Sequence, residues 1–133
     1  MKIAIIGPGA MGLLYGGYLS KNNEVILVGR DENSMKQLNE RGITIEEKEG
    51  IVDNYPVRAT VNPSEVGIVD LAIVFVKAYA SNQAIEDAKS MIGPDTILMT
   101  LQNGLGNEKA LLGFAQANNP ILVVIGYFVF AHI

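Results

Sequence analysis

The sequence predicts an α/β domain built on a doubly wound, mostly parallel sheet. Three observations carry this. Apolar runs rich in β-branched residues recur along the chain, at 3–6, 24–28, 70–76, 96–101 and from 120 onward, the pattern of strands buried on both faces. Helix-forming stretches separate most of them, which implies right-handed βαβ units. A turn with three glycines, Gly7, Gly9 and Gly12, follows the first run at once.

Ile3–Ile6 is the first buried strand and Gly7–Gly9 its turn. Ala10 to about Lys21 reads as a helix, with Ala10, Gly12, Gly16 and Gly17 as small residues on one side. Asn22-Asn23 ends it, and Glu24–Val28 is the second strand. Asp31 or Asn33 caps a helix to Arg41, which Gly42 closes. Ile43–Glu46 and Val57–Val61 are short β-prone pieces on either side of "EKEGIVDNYP", where a small hairpin or irregular, exposed insertion is expected. Asp70–Val76 is the next buried strand, and Ser81–Met91 a helix stopped by "GPD". Thr96–Leu101 is a strand, "QNGLG" a loop, Asn107 the cap of a helix to Gln116, and Pro120 opens a last strand.

The 133 residues suffice for one domain with one core. The chain is 49% hydrophobic and 18% charged, a globular composition. A net charge of −4 argues against nucleic acid or an anionic membrane as main partner. With no cysteine and a single histidine, His132, the chain holds no disulfide, thiolate metal site, His-based metal cluster or triad. Its apolar runs are too short for a signal peptide or a spanning helix. A cytoplasmic protein is expected. No repeat, linker or low-complexity segment interrupts it. The end is still strongly apolar, which suggests the first domain of a longer protein, and an uncovered tail would promote self-association.

Gly7-x-Gly9-x-x-Gly12 has the dinucleotide-binding spacing. The first glycine turns the chain out of the strand, the second lets backbone approach a pyrophosphate, and the third lets helix pack on strand. The phosphates then rest on unpaired N–H groups at the helix N-terminus. The pattern alone is weak. Here it leaves a buried strand and opens a helix within a βαβ unit of about 30 residues, which are its confirming conditions.

The second strand ends Val28-Gly29-Arg30-Asp31. Gly29 stands where an acid would hold the ribose 2′-hydroxyl of NAD, and Arg30 offers a fork to a 2′-phosphate, which predicts NADP. Asp31 is the rival: it either accepts from the ribose or starts the next helix. Lys77 follows "LAIVFV" at the carboxyl end of a central strand, where ligands bind in such sheets. It either donates to ribose and substrate or sends its head to water. Asn103, in "LQNGLGN", lies at the same edge, with two donors and one acceptor for a ribose, an amide or a substrate hydroxyl.

"GPGAMG", "VGR", "LAIVFVKAY" and "GPDTILMTLQNGLGNEKAL", with a last strand ending near Ala131, occur in the order and spacing of one family. The sequence resembles the N-terminal, Rossmann-like NADP-binding domain of ketopantoate reductases over essentially its whole length. The resemblance implies NADPH-dependent reduction of 2-dehydropantoate to pantoate, in pantothenate synthesis. It assigns Gly7, Pro8, Gly9, Ala10, Met11 and Gly12 to the pyrophosphate and Arg30 to the 2′-phosphate. Lys77 and Asn103 go to the nicotinamide ribose side, Asn103 also near substrate, and Ala131 near the nicotinamide. It departs in two respects. "IGYFVFAHI" is bulkier than the family's threonine-rich strand. The family's C-terminal helical domain, source of the proton-donating lysine and a substrate-holding carboxylate, is absent. The implied partners are a small 2-oxo acid, that helical domain and, as a further candidate, a second copy of the chain. Two alternatives stay open: a non-catalytic NADP-binding module, and a reductase of another 2-oxo acid.

Overall fold

The computed structural model describes residues 1–7, 9–75, 86–102 and 119–125. Strand β1 (Lys2–Ile6) leads into helix α1 (Ala10–Leu19), strand β2 (Glu24–Val28) and helix α2 (Glu32–Arg41). Three short strands follow, β3 (Ile43–Glu46), β4 (Val52–Tyr55) and β5 (Arg58–Thr60), then β6 (Val69–Val74), β7 (Ile92–Gln102) and β8 (Ile121–Ile125). Among the described residues the main sheet has six strands in the order β5-β2-β1-β6-β7-β8, every neighbouring pair parallel. The order reverses beside β1, so the sheet has a switch point between β1 and β6.

Successive side chains of a strand face opposite ways, and both faces are buried here. Ile3 and Ile5 join Val25, Leu27, Met35 and Ile73 on one side. Ala4 and Ile6 join Ile26, Val28, Val66, Met91 and Leu98 on the other. The apolar runs are therefore unbroken rather than alternating. Helix α1 meets the sheet through glycine. A Cβ on Gly16 would come within 3.1 Å of Leu27 Cδ2 and 3.2 Å of Ile5 Cδ1. Gly16 is thus what lets the helix axis sit low on β1 and β2.

Helix α2 starts at Asp31, whose side chain accepts from the Asn33 N–H, and stops at Gly42, which has a φ of 74°. The segment after it resolves into two parts. β3 and β4 form an antiparallel hairpin, Ile43 opposite Tyr55. β5 instead joins the main sheet, Ala59 opposite Leu27. Its outer edge is clasped by one side chain: Asn39 Nδ2 donates to the Ala59 carbonyl at 2.7 Å, and the Ala59 N–H donates to Asn39 Oδ1 at 2.8 Å.

One expected boundary is corrected. "GPD" does not separate helix from strand, because β7 begins at Ile92 and not at Thr96. Ile92 pairs with Val69, and the register then jumps to Ile97 opposite Leu71. Thr96 holds the irregularity: its Oγ1 accepts from the Gly93 N–H at 2.9 Å and donates to the Val69 carbonyl at 2.6 Å. Asn119 Nδ2 adds bonds to the Gly93 and Thr96 carbonyls at 2.8 and 3.0 Å. Of the expected helix 81–91, the described part is helical at 86–88 and a 3-10 turn at Lys89–Met91. The expected helix from Asn107 to Gln116 lies outside the described residues.

Candidate dinucleotide-binding site

The parallel strands all end at one edge of the sheet. There β1 hands over to α1 through Gly7, whose φ of 78° is a conformation that disfavours side chains. The Gly7 N–H donates to the Val28 carbonyl at 2.9 Å, which ties the turn to the end of β2. Gly9 is the N-cap of α1, in extended conformation, and offers no capping side chain. The Leu13 N–H already bonds the Gly9 carbonyl at 2.9 Å. The N–H groups of Ala10, Met11 and Gly12 precede it and have no acceptor within the helix. The first turn carries no acidic residue. Gly9 and Ala10 are exposed, Met11 partly, while Gly12 is buried, and a Cβ on Gly9 would meet nothing within 4 Å. This edge therefore presents bare amides and a partial positive charge to open space, a donor set that fits an anion such as a pyrophosphate.

At the end of β2 the Gly29 N–H donates to the Thr60 carbonyl at 3.1 Å, which fixes the chain just before Arg30. Arg30 is exposed, and its guanidinium makes no hydrogen bond among the described residues. Asp31 takes the capping role of the two open to it. Its Oδ1 accepts from the Asn33 N–H at 3.1 Å and its Oδ2 from the Ser34 hydroxyl at 2.7 Å. The Ser34 hydroxyl, and after it the Asn33 N–H, hold the Asp31 carboxyl below its ordinary value.

Pro8, Lys77, Asn103 and Ala131 lie outside the described residues. The strands that lead to Lys77 and Asn103, β6 and β7, end at Val74 and Gln102 on the same edge as Gly7. The Phe75 N–H donates to the Ile6 carbonyl at 2.9 Å, so the chain is still beside β1 two residues before Lys77. A groove of about 680 Å³ runs between α1, α2 and β3. It is lined by Leu13, Met35, Leu38 and Ile45 and reaches the strand-end edge at Ala10 and Ser34. Among the described residues no His, Cys, Asp and Glu group could hold a metal, and no helix is long and apolar enough to cross a membrane.

Two groups at this edge escaped the sequence reading. Ser34 was legible only as a residue in the first turn of α2, and the Thr60 carbonyl carries no sequence signal at all.

The family model "Ketopantoate reductase PanE/ApbA" matches residues 3–132. The chain is 38% identical to a 2-dehydropantoate 2-reductase of Pyrococcus abyssi over 86% of its own length and 37% of that protein's. It is 33% identical to one of Streptococcus pyogenes serotype M3, over 93% and 40%. It thus spans about two fifths of the length of the curated relatives it matches. A PanE/ApbA family ketopantoate reductase of Ralstonia eutropha JMP134 superposes with a TM-score of 0.74 at 29% identity, covering 92% of this chain and 40% of the other. A D-mandelate dehydrogenase with NADH and anilino(oxo)acetate superposes with a TM-score of 0.75 at 33% identity, covering 92% and 40%. The glycine turn, the parallel sheet and these matches agree: the chain belongs to the ketopantoate reductase family of oxidoreductases and has the Rossmann-like fold of their N-terminal domains.

Proposed function

We propose that this chain binds NADPH along the strand ends and supplies the cofactor half of a reduction of 2-dehydropantoate to pantoate. The observation that carries the reading is the glycine turn, with its left-handed Gly7 and a helix start that no side chain caps. Gly7, Pro8, Gly9, Ala10, Met11 and Gly12 hold the pyrophosphate. Arg30, held out from the end of β2, meets the 2′-phosphate. Lys77 and Asn103 orient the nicotinamide ribose and the substrate, and Ala131 borders the nicotinamide. The bound dinucleotide supplies the hydride. The ketone also needs a proton, and the family resemblance assigns its donor to a helical domain that none of these 133 residues represents. The chain acts in the cytoplasm.

Equilibrium titration with NADPH and with NADH tests this. NADPH binds more tightly, and Arg30→Ala weakens NADPH about tenfold while sparing NADH, the loss expected for a charge-assisted contact. With 2-dehydropantoate added, the 133-residue chain consumes no NADPH. No binding of either nucleotide to folded protein overturns the proposal.

One observation favours a second reading. The D-mandelate dehydrogenase that resembles this chain holds NADH and a 2-oxo acid analogue, anilino(oxo)acetate. A preference for NADH in the same titration would point to that class, a reductase of another 2-oxo acid.

A further inference from the structure

The coenzyme reading leaves one feature unused, the bond between Ser34 and Asp31. Dinucleotide folds of this class place an acid past the second strand to accept from the ribose 2′-hydroxyl. Here an acid stands three residues past Val28, whose carbonyl accepts from the Gly7 N–H of the glycine turn. Both oxygens of the acid accept a hydrogen bond. The bond from the Asn33 N–H is that of any N-cap. The bond from the Ser34 hydroxyl, at 2.7 Å, is additional and orients the second oxygen toward the start of α2. The carboxylate is thereby turned onto the start of α2, where the helix dipole offsets its charge. The adjacent Arg30 is left exposed. Both side chains are exposed; the carboxylate is engaged by the helix cap, whereas the guanidinium makes no hydrogen bond among the described residues.

We infer that Ser34 is a specificity-determining residue for the coenzyme: its hydroxyl locks the Asp31 carboxylate on the α2 cap and so withholds it from a ribose 2′-hydroxyl. The inference rests on the reading that Arg30 meets a 2′-phosphate. Without the hydroxyl, the carboxylate keeps only its backbone cap, from the Asn33 N–H and more weakly the Ser34 N–H, and gains an open acceptor position. That position can accept from the 2′-hydroxyl of NADH, and it repels the 2′-phosphate of NADPH.

The test is the dissociation constant of each coenzyme for the full chain, with circular dichroism as a check on folding. Ser34→Ala tightens NADH about tenfold and weakens NADPH by roughly the same factor. Adding Asp31→Ser, which keeps a capping oxygen but removes the carboxylate, returns NADH affinity to its starting value. A purely structural role moves both coenzymes together, and that result overturns the inference, as does unchanged NADH binding. Arg30→Ala separates the two levels. If it weakens NADPH while Ser34→Ala changes nothing, the lock alone fails. If it leaves NADPH binding intact, the 2′-phosphate reading fails and the lock falls with it.

Discussion

Asp31 shows how one side chain can look like two things in a sequence. Its position suits either a ribose acceptor or a helix cap, and only the direction of its carboxylate separates them. That direction has a consequence for stability. Because the folded carboxyl titrates below its ordinary 3.8, the cap stabilises the fold above that value. The contribution is lost as the pH falls through the lower, folded value. The stability difference between the native chain and Asp31→Ala should therefore be constant from neutral pH down to about 5 and shrink in more acidic solution. Urea titrations at several pH values measure it, and a difference independent of pH would contradict the assignment. Arg30 was placed by the glycine before it and the strand end at Val28, and the structure leaves it exposed just past that end.

At the scale of elements, the parts legible in advance were those with strong local signals. β1, α1, β2 and α2 follow from continuous apolar runs, a glycine turn, a capping aspartate and a closing glycine, all within a few residues of the element they define. β5 was legible as β-prone but not as a member of the main sheet. Three residues carry too little pattern, and its place depends on pairing with β2 and on Asn39, about twenty residues away. The start of β7 was misplaced for a related reason. Gly93 and Pro94 read locally as a stop, yet buried Thr96 bonds the Val69 carbonyl across the sheet and keeps the chain in it. The candidate site was legible to the extent that glycine spacing and strand ends encode it; Ser34 acts through a hydrogen bond that no spacing announces. Helix α1 offers a direct test of its close packing. Gly16→Val would drive a branched side chain against Leu27, Ile5 and Ile43. It should cost about 1–3 kcal/mol in chemical denaturation, the usual penalty of overfilling a packed core. A neutral or stabilising result would mean that α1 can lift off the sheet freely.

For the whole molecule, the parallel sheet gathers its strand ends on one side, so residues from distant parts of the sequence arrive at one edge without further design. Gly7 and Arg30 are described there, and the strands before Lys77 and Asn103 finish there too. The sheet's lateral limit at β5 matters as much. Asn39→Ala would strip the partner from both backbone groups of Ala59. It should lower stability by about 1–2 kcal/mol, read as an earlier denaturation midpoint, and light scattering should rise on warming. An unchanged midpoint with clear solutions would show that the clasp is dispensable. A single amide that satisfies a donor and an acceptor at once imitates the strand that would otherwise arrive next. It works as a stopper against polymerisation: a neighbouring chain that reaches β5 finds the backbone valences of Ala59 already spent.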